Sequence, residues 1–258
     1  MAGYHALMPW LPRAITLDLD DTLWPIAPAI DRAEAALDVW LAAQAPRAAA
    51  RWPRSARQRL REAVAAEHPE LAHDFTAQRR LTLEHMLADS GEDTALVGAA
   101  FEAYFAARCE VEHYVDTLAA LDRLGARLPL AAISNGNACL VRIGIDQRFS
   151  FSLTAREHGQ GKPAASIFHA ACARLRLAPH EVLHVGDDPE HDVAGATRAG
   201  LQAAWINRDG RRWHHSPQRP GLVFAHLGEL ADWLDEASRA AVPTAPAVPV
   251  EHRSRSLA

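Results

Sequence analysis

Hydrophobic and polar positions change their rhythm twice along this chain. Residues 14–19 are almost continuously apolar and end in acids, and similar short runs recur at 130–133, 149–153, 182–185 and 202–206. Apolar runs of that length, bounded by turn residues, read as buried strands. Between them, Val115, Leu118, Leu121 and Leu124, and then Ile167, Ala171 and Leu175, recur at helical spacing and stop near a Gly or Pro. Strand and helix alternate from residue 129 onward, which predicts an α/β class with a parallel sheet and helices on both faces.

Residues 28–112 follow a different period, with four amphipathic helical patterns and no convincing strand. The last shows it best: Asp93 is placed to cap a helix whose face is Leu96, Val97, Ala100, Phe101, Tyr104 and Phe105. Earlier stripes are Leu37, Trp40 and Leu41, then Leu60 and Val64, then Leu83, Met86 and Leu87, halted by Gly91. The expected organisation is a core made of residues 1–27 and 113–241, a helical insertion at 28–112, and a flexible tail at 242–258. That tail alternates proline with small residues and cannot bury enough surface to order itself.

With 258 residues, 49% of them hydrophobic, the chain can bury a full enzyme core. Its 27 basic and 32 acidic residues give a formal charge of −5 with no basic cluster, which argues against a nucleic-acid partner. Cys109, Cys139 and Cys172 lie far apart, so neither a disulfide framework nor a zinc site is expected. No stretch reaches the roughly 18 apolar residues of a membrane span, and the N-terminus has no basic leader, so a cytoplasmic protein without a membrane partner is expected. The sequence leaves the oligomeric state open.

Chemistry concentrates at the strand ends. Asp18 and Asp20 follow the first apolar run two residues apart, so they face one side while Leu19 packs the other way. The second run ends Ser134-Asn135-Gly136, where a hydroxyl and successive N–H groups can meet an anion. After the third comes a Gly-rich loop presenting Lys162. The fourth ends in Asp187 and Asp188, with Asp192 five residues beyond Asp187. Taken singly, Ser134 is as readily a turn residue, Lys162 a solvated lysine, and Asp187 or Asp192 a helix N-terminal acid. Ligands in open parallel sheets bind beyond the carboxyl ends of the strands, where all four sets fall. Three carboxylates meeting there repel one another unless a hard cation and the lysine offset them.

The order DLDDT, SNG, KP and GDDPEHD resembles the four motifs of the haloacid dehalogenase-like superfamily across residues 14–235. The resemblance implies a Rossmann-like parallel-sheet core with an inserted α-helical cap, here residues 28–112, of the first cap type. It implies catalytic roles for Asp18 as nucleophile, Asp20 as acid and base, and Lys162 as charge balance. Ser134, Asn135 and Lys162 would contact substrate. Mg²⁺ would lie on an Asp18 oxygen, the Asp20 carbonyl and Asp187, with Asp192 either bound to it or just behind it. An acid at Asp20 argues against carbon–halogen cleavage, because a departing halide takes no proton. Asp21, where glycine is common, faces away from Asp18 and is given a structural role.

The stretch LREAVAAEHPELAHDFTAQRRLTLEHML, with AAISNGNA and LHVGDD, is similar to bacterial phosphatases of flavin mononucleotide and of 5-amino-6-(5-phospho-D-ribitylamino)uracil, a riboflavin precursor. The implied substrate is such a small phosphorylated metabolite. Asp74, Phe75, Arg79 and Arg80 either face the pocket mouth or sit on a solvated or packed helix face. Trp24 either meets the leaving group or packs under the cap. Two alternatives remain: a phosphomutase of the same fold, and a non-catalytic binding or regulatory protein, which predicts loss of at least one of Asp18, Asp20, Lys162 and Asp187.

Overall fold

The computed structural model describes residues 10–214 and 220–240. Six parallel strands form one sheet: β1 (Ala14–Leu17), β2 (Leu130–Ser134), β3 (Phe151–Thr154), β4 (Val182–Gly186), β5 (Gln202–Ile206) and β6 (Leu222–Phe224). Their order is β3-β2-β1-β4-β5-β6, so the chain winds outward from β1 first to one side and then to the other. The direction of winding reverses beside β1 and β4, where Leu17 pairs with Val185. A crevice opens at such a switch point beyond the strand ends.

Five of the strands fall where the apolar runs predicted them, and β6 was not foreseen. It has only three residues, with Val223 exposed between Leu222 and Phe224, and so short a run carries no period of its own. Every residue of β1, β2 and β4 is buried, as expected for a parallel sheet covered on both faces.

Helices α1 (Ile26–Gln44), α2 (Pro46–Arg51), α3 (Arg54–Glu67), α4 (Phe75–Asp89) and α5 (Val97–Arg108) lie between β1 and β2. They enclose a core of their own, in which Leu37 and Leu41 meet Leu83, Met86, Leu87, Phe101 and Tyr104. Asp93 caps a short 3-10 turn ahead of α5, accepting the Ala95 N–H, and Gly91 ends the preceding helix at φ +66°. The remaining helices are α6 (Thr117–Gly125), α7 (Leu140–Ile143), α8 (Ala155–His158), α9 (Ala165–Leu175), α10 (Gly195–Arg198) and α11 (Leu227–Ala240).

The two faces of the sheet divide by strand parity. Ile15, Leu17, Leu183 and Val185 pack against Leu121 and Leu124 of α6 and Leu230 and Leu234 of α11. Ile133, Val182 and Trp205 pack against Ile167, Phe168 and Ala171 of α9. The stripe predicted for α6 shifts: Val115 lies ahead of the helix and is fully exposed, Leu118 is exposed, and the buried face is Thr117, Ala120, Leu121 and Leu124. The cause is the start of the helix at Thr117, whose hydroxyl donates to the Leu23 carbonyl. The expected tail and most of the leading segment lie outside the described residues. Among the described residues, no helix is long and apolar enough to cross a membrane, and all three cysteines are free.

Candidate active site

Asp18 extends β1 by one residue, its N–H donating to the Val185 carbonyl at 2.9 Å. Its carboxylate is thereby fixed at the switch point, while Leu19 is buried in the core on the opposite side. Asp21 adopts φ +61°, a conformation that favours glycine, and its carboxylate accepts the Ile26 N–H that opens α1. This gives Asp21 a capping job. The buried Thr22 hydroxyl lies 3.4 Å from Asp18 Oδ2 and 3.3 Å from Asp187 Oδ1, so its single hydrogen serves one of them at a time.

Lys162 is buried, and its ammonium donates both to Asp18 Oδ1 and, at 2.6 Å, to Asp192 Oδ1. Burial alone would favour the neutral amine, but the two carboxylates overturn this and hold its pKa above the ordinary lysine range. The loop that delivers it is clamped by Asn135, whose Oδ1 accepts the Lys162 N–H and whose Nδ2 donates to the Lys162 carbonyl, both at 2.7 Å. The Asn135 carboxamide is therefore turned to the loop backbone. Ser134 Oγ accepts the Gly136 N–H at 3.0 Å, which leaves its own hydrogen for another acceptor.

Asp192 sits in a π-helical turn, Pro189–Ala194, a departure from regular helix of the kind often found at functional sites. Its Oδ2 accepts the Asp188 N–H at 3.0 Å, and its Oδ1 also lies 3.1 Å from His184 Nε2. Gly186 permits this packing, because a Cβ there would fall 2.2 Å from the Asp192 carboxyl carbon. His184 is fully buried in β4, and burial favours its neutral form. With Nε2–H donating to Asp192, Nδ1 accepts the Thr16 hydroxyl at 2.9 Å. Burial would raise the Asp192 carboxyl, but Lys162 and His184 hold it well below the usual range.

The other two carboxyls move the opposite way. Burial, with Asp192 and Asp187 nearby, pushes Asp18 well above its ordinary value despite Lys162. Burial, with Asp192 and Asp21, pushes Asp187 up to about 7. Asp18, Asp187 and Asp192 offer oxygens within 4.8 Å of one another.

Asp20 lines the same pocket but is bonded to other groups. Trp24 Nε1 donates to its Oδ1 at 2.8 Å, and Arg108 Nη2 lies 2.6 and 2.7 Å from its two oxygens. Trp24 is fully buried in the core cluster on the α6 and α11 face of the sheet, with its ring edge-on to His113. Arg108 escaped the sequence reading. Its one signal is a charge on an apolar stripe, since it follows Phe101 and Tyr104 by seven and four residues on α5.

A pocket of about 610 Å³ joins these groups to the cap and is lined by Asp18, Asp20, Ser134, Lys162 and Asp187 below and by Arg61, Phe75, Gln78, Arg79 and Arg108 above. Arg79 is buried, donating to Glu34 at 2.7 Å and to the Tyr104 hydroxyl at 2.9 Å. Glu34 also receives Arg57 and Arg61; burial opposes its ionisation, and the arginines hold its pKa below the usual range. Asp74 caps α4 through the Ala77 N–H and lies 3.3 Å from Arg156 of α8. Arg80 lies over the Phe101 ring and does not line the pocket. Of the four cap residues singled out, Phe75 and Arg79 reach it.

The family model described as haloacid dehalogenase-like hydrolase matches residues 12–200. Over 228 residues the chain is 36% identical to "5-amino-6-(5-phospho-D-ribitylamino)uracil phosphatase YigB" of Escherichia coli K12, covering 86% of this chain and 95% of that one. It is 30% identical to "Glyceraldehyde 3-phosphate phosphatase" of Methanopyrus kandleri, covering 88% and 99%. A crystal structure described as 2-haloacid dehalogenase from Pseudomonas syringae pv. Tomato superposes with a TM-score of 0.82 at 36% identity, covering 88% and 99%.

Proposed function

The chain belongs to the haloacid dehalogenase-like hydrolases, and from that footing we propose that it hydrolyses small phosphate monoesters through a phosphorylated Asp18. The observation that carries this is the second carboxylate: Asp20 lines the same pocket as Asp18 but makes no bond to it. An alkoxide leaving group needs a proton donor there, whereas a halide does not.

In this reading an Asp18 oxygen attacks phosphorus while the ester P–O bond breaks and the leaving oxygen takes the Asp20 proton. Asp20 then removes a proton from the water that attacks the aspartyl phosphate, which frees phosphate and restores Asp18. The Ser134 hydroxyl donates to a phosphoryl oxygen, and Lys162 offsets negative charge on Asp18 and on the phosphoryl group.

Hard carboxylate donors at this spacing fit Mg²⁺. Both oxygens of Asp192 are already engaged, so Asp18, Asp187 and the Asp20 carbonyl would hold the ion with Asp192 behind them. Bound there, the cation would neutralise charge on the carboxylates and the phosphoryl group. The raised Asp187 pKa sets a pH test. In the metal-free protein, a raised carboxyl lends stability below the ordinary carboxylate range that is lost as pH rises through about 7. Mg²⁺ requires the ionised form, so the rise in melting temperature on adding Mg²⁺ should grow between about pH 5.5 and pH 8. A rise independent of pH, or one that survives in Asp187→Asn, would remove Asp187 from the metal site.

For the substrate we propose a ribityl phosphate such as 5-amino-6-(5-phospho-D-ribitylamino)uracil or flavin mononucleotide, supported by the likeness to the Escherichia coli enzyme. The cap end of the pocket suits an acceptor-rich ring: Phe75 presents a half-exposed aromatic face, and Arg61 and Arg79 present guanidinium groups. The test is phosphate release from a panel of phosphorylated metabolites with Mg²⁺ or EDTA, beside halide release from 2-chloropropionate. We expect Mg²⁺-dependent phosphate release led by the ribityl phosphates. Halide release without phosphate release would instead favour the dehalogenase reading, which the Pseudomonas structure's description keeps in view.

A further inference from the structure

We propose that Arg108 is a positioning residue that sets the Asp20 carboxyl for proton transfer to the leaving oxygen, an inference that rests on the phosphatase reading of this pocket. Arg108 ends α5 with its side chain only 1% exposed, and both Asp20 oxygens lie within 2.7 Å of its Nη2. Its Nε and Nη1 are buried and have no hydrogen-bond partner among the described residues. A buried guanidinium with so few acceptors is costly to keep. Among the described residues its single anionic partner is Asp20, which ties the two groups closely.

Two further sides of the Asp20 carboxylate are bounded as well, and the remaining side lines the pocket. Trp24 Nε1 holds Oδ1, and a Cβ on Gly136 would lie 2.5 Å from Oδ2, so the backbone there closes that side. Trp24 and Arg108 flank the two chain segments that lead into and out of the helical insertion. Those segments are themselves joined: the Tyr114 N–H donates to the Leu23 carbonyl at 3.1 Å, and Arg32 donates twice to the Glu110 carbonyl. The acid/base group is therefore held by the junction between insertion and core, and Arg108 is its one charged partner among the described residues.

The consequence depends on the leaving group. When Asp18 bonds to phosphorus, the electron pair of the breaking P–O bond passes to the leaving oxygen. An alkoxide must take the Asp20 proton as it departs, whereas 4-nitrophenolate leaves without one. Misplacing Asp20 therefore slows alkyl esters selectively. Arg108→Met is expected to lower kcat/KM about 100-fold for flavin mononucleotide but less than about 5-fold for 4-nitrophenyl phosphate. Arg108→Lys, which keeps the charge, should recover about tenfold on the alkyl ester. On an Asp20→Asn background, adding Arg108→Met should cost less than about 3-fold, since the group it acts through is gone.

Equal losses on the two esters, or full additivity with Asp20→Asn, would overturn the proposal and assign Arg108 to packing. If Arg108→Met does not fold, Arg108→Lys carries the same comparison, with selective loss on the alkyl ester expected and uniform loss overturning it. Wild-type protein that cleaves neither ester would overturn the phosphatase reading itself, and this proposal with it.

Discussion

Asp18→Asn protein should release phosphate at no more than about one ten-thousandth of the wild-type rate, while folding as well as the parent. The amide keeps the shape of the carboxylate but cannot form the acyl phosphate. Its effect on stability runs the other way from its effect on turnover. Asp18 is held at a strand end where burial and two neighbouring carboxylates disfavour its charge, so removing that charge relieves a strained arrangement. Lys162 keeps Asp192 as its partner in the variant. Unfolding free energy is expected to stay within about 1 kcal/mol of wild type or to rise. Steady-state phosphate release and urea melts check the two halves, and mass spectrometry of acid-quenched wild-type protein should find a phosphoryl group on the peptide containing Asp18. Substantial turnover by Asp18→Asn would end the covalent reading.

Lys162→Met should be inactive for a different reason, and unstable as well. The ammonium lies between two buried carboxylates, with Lys162, Asp18 and Asp192 side chains 2%, 12% and 1% exposed. Methionine fills similar space and leaves both acids without their cation. Breaking a buried ion pair by removing one partner typically costs about 3–5 kcal/mol. The deficit should shrink as pH falls, because the stranded carboxyls then take up protons, and it should shrink when Mg²⁺ is added. Denaturant melts of the variant at acidic and alkaline pH, with and without Mg²⁺, measure this directly. A loss below about 1 kcal/mol at alkaline pH would show that Lys162 is not the central counter-charge described above.

What the sequence revealed and what it hid divide along a physical line. Asp18, Ser134, Lys162, Asp187 and Asp192 could be found because each follows an apolar run or a glycine-rich turn, and strand ends in a parallel sheet converge. Arg108 could not, because its partner lies 88 residues away and no local pattern announces the pairing. His184 was hidden inside an otherwise apolar strand, where one imidazole reads as an interruption of the core. Glu34 likewise falls on the buried stripe of α1, and its three arginines come from α3 and α4. Asn135 was placed in the right loop, but its carboxamide clamps the Lys162 backbone, an assignment that needs the third dimension. Polar residues at apolar-stripe positions were the common overlooked signal.

The bond from the Tyr114 N–H to the Leu23 carbonyl also bears on how the chain reaches this state. Strands β1 and β2 lie side by side, yet the whole insertion separates Leu17 from Leu130 in sequence. Bringing distant segments together carries a loop-closure entropy that delays such contacts during folding. The insertion moves that closure into its own core, where its first helix, α1, packs on its last, α5. Once α1 and α5 have packed together, the ends of the insertion are already close, and the tether between the two strands shortens to the segments 17–23 and 114–130, the second of which carries α6. The helical unit that encloses the pocket thus also acts as a splint for the central pair of the sheet.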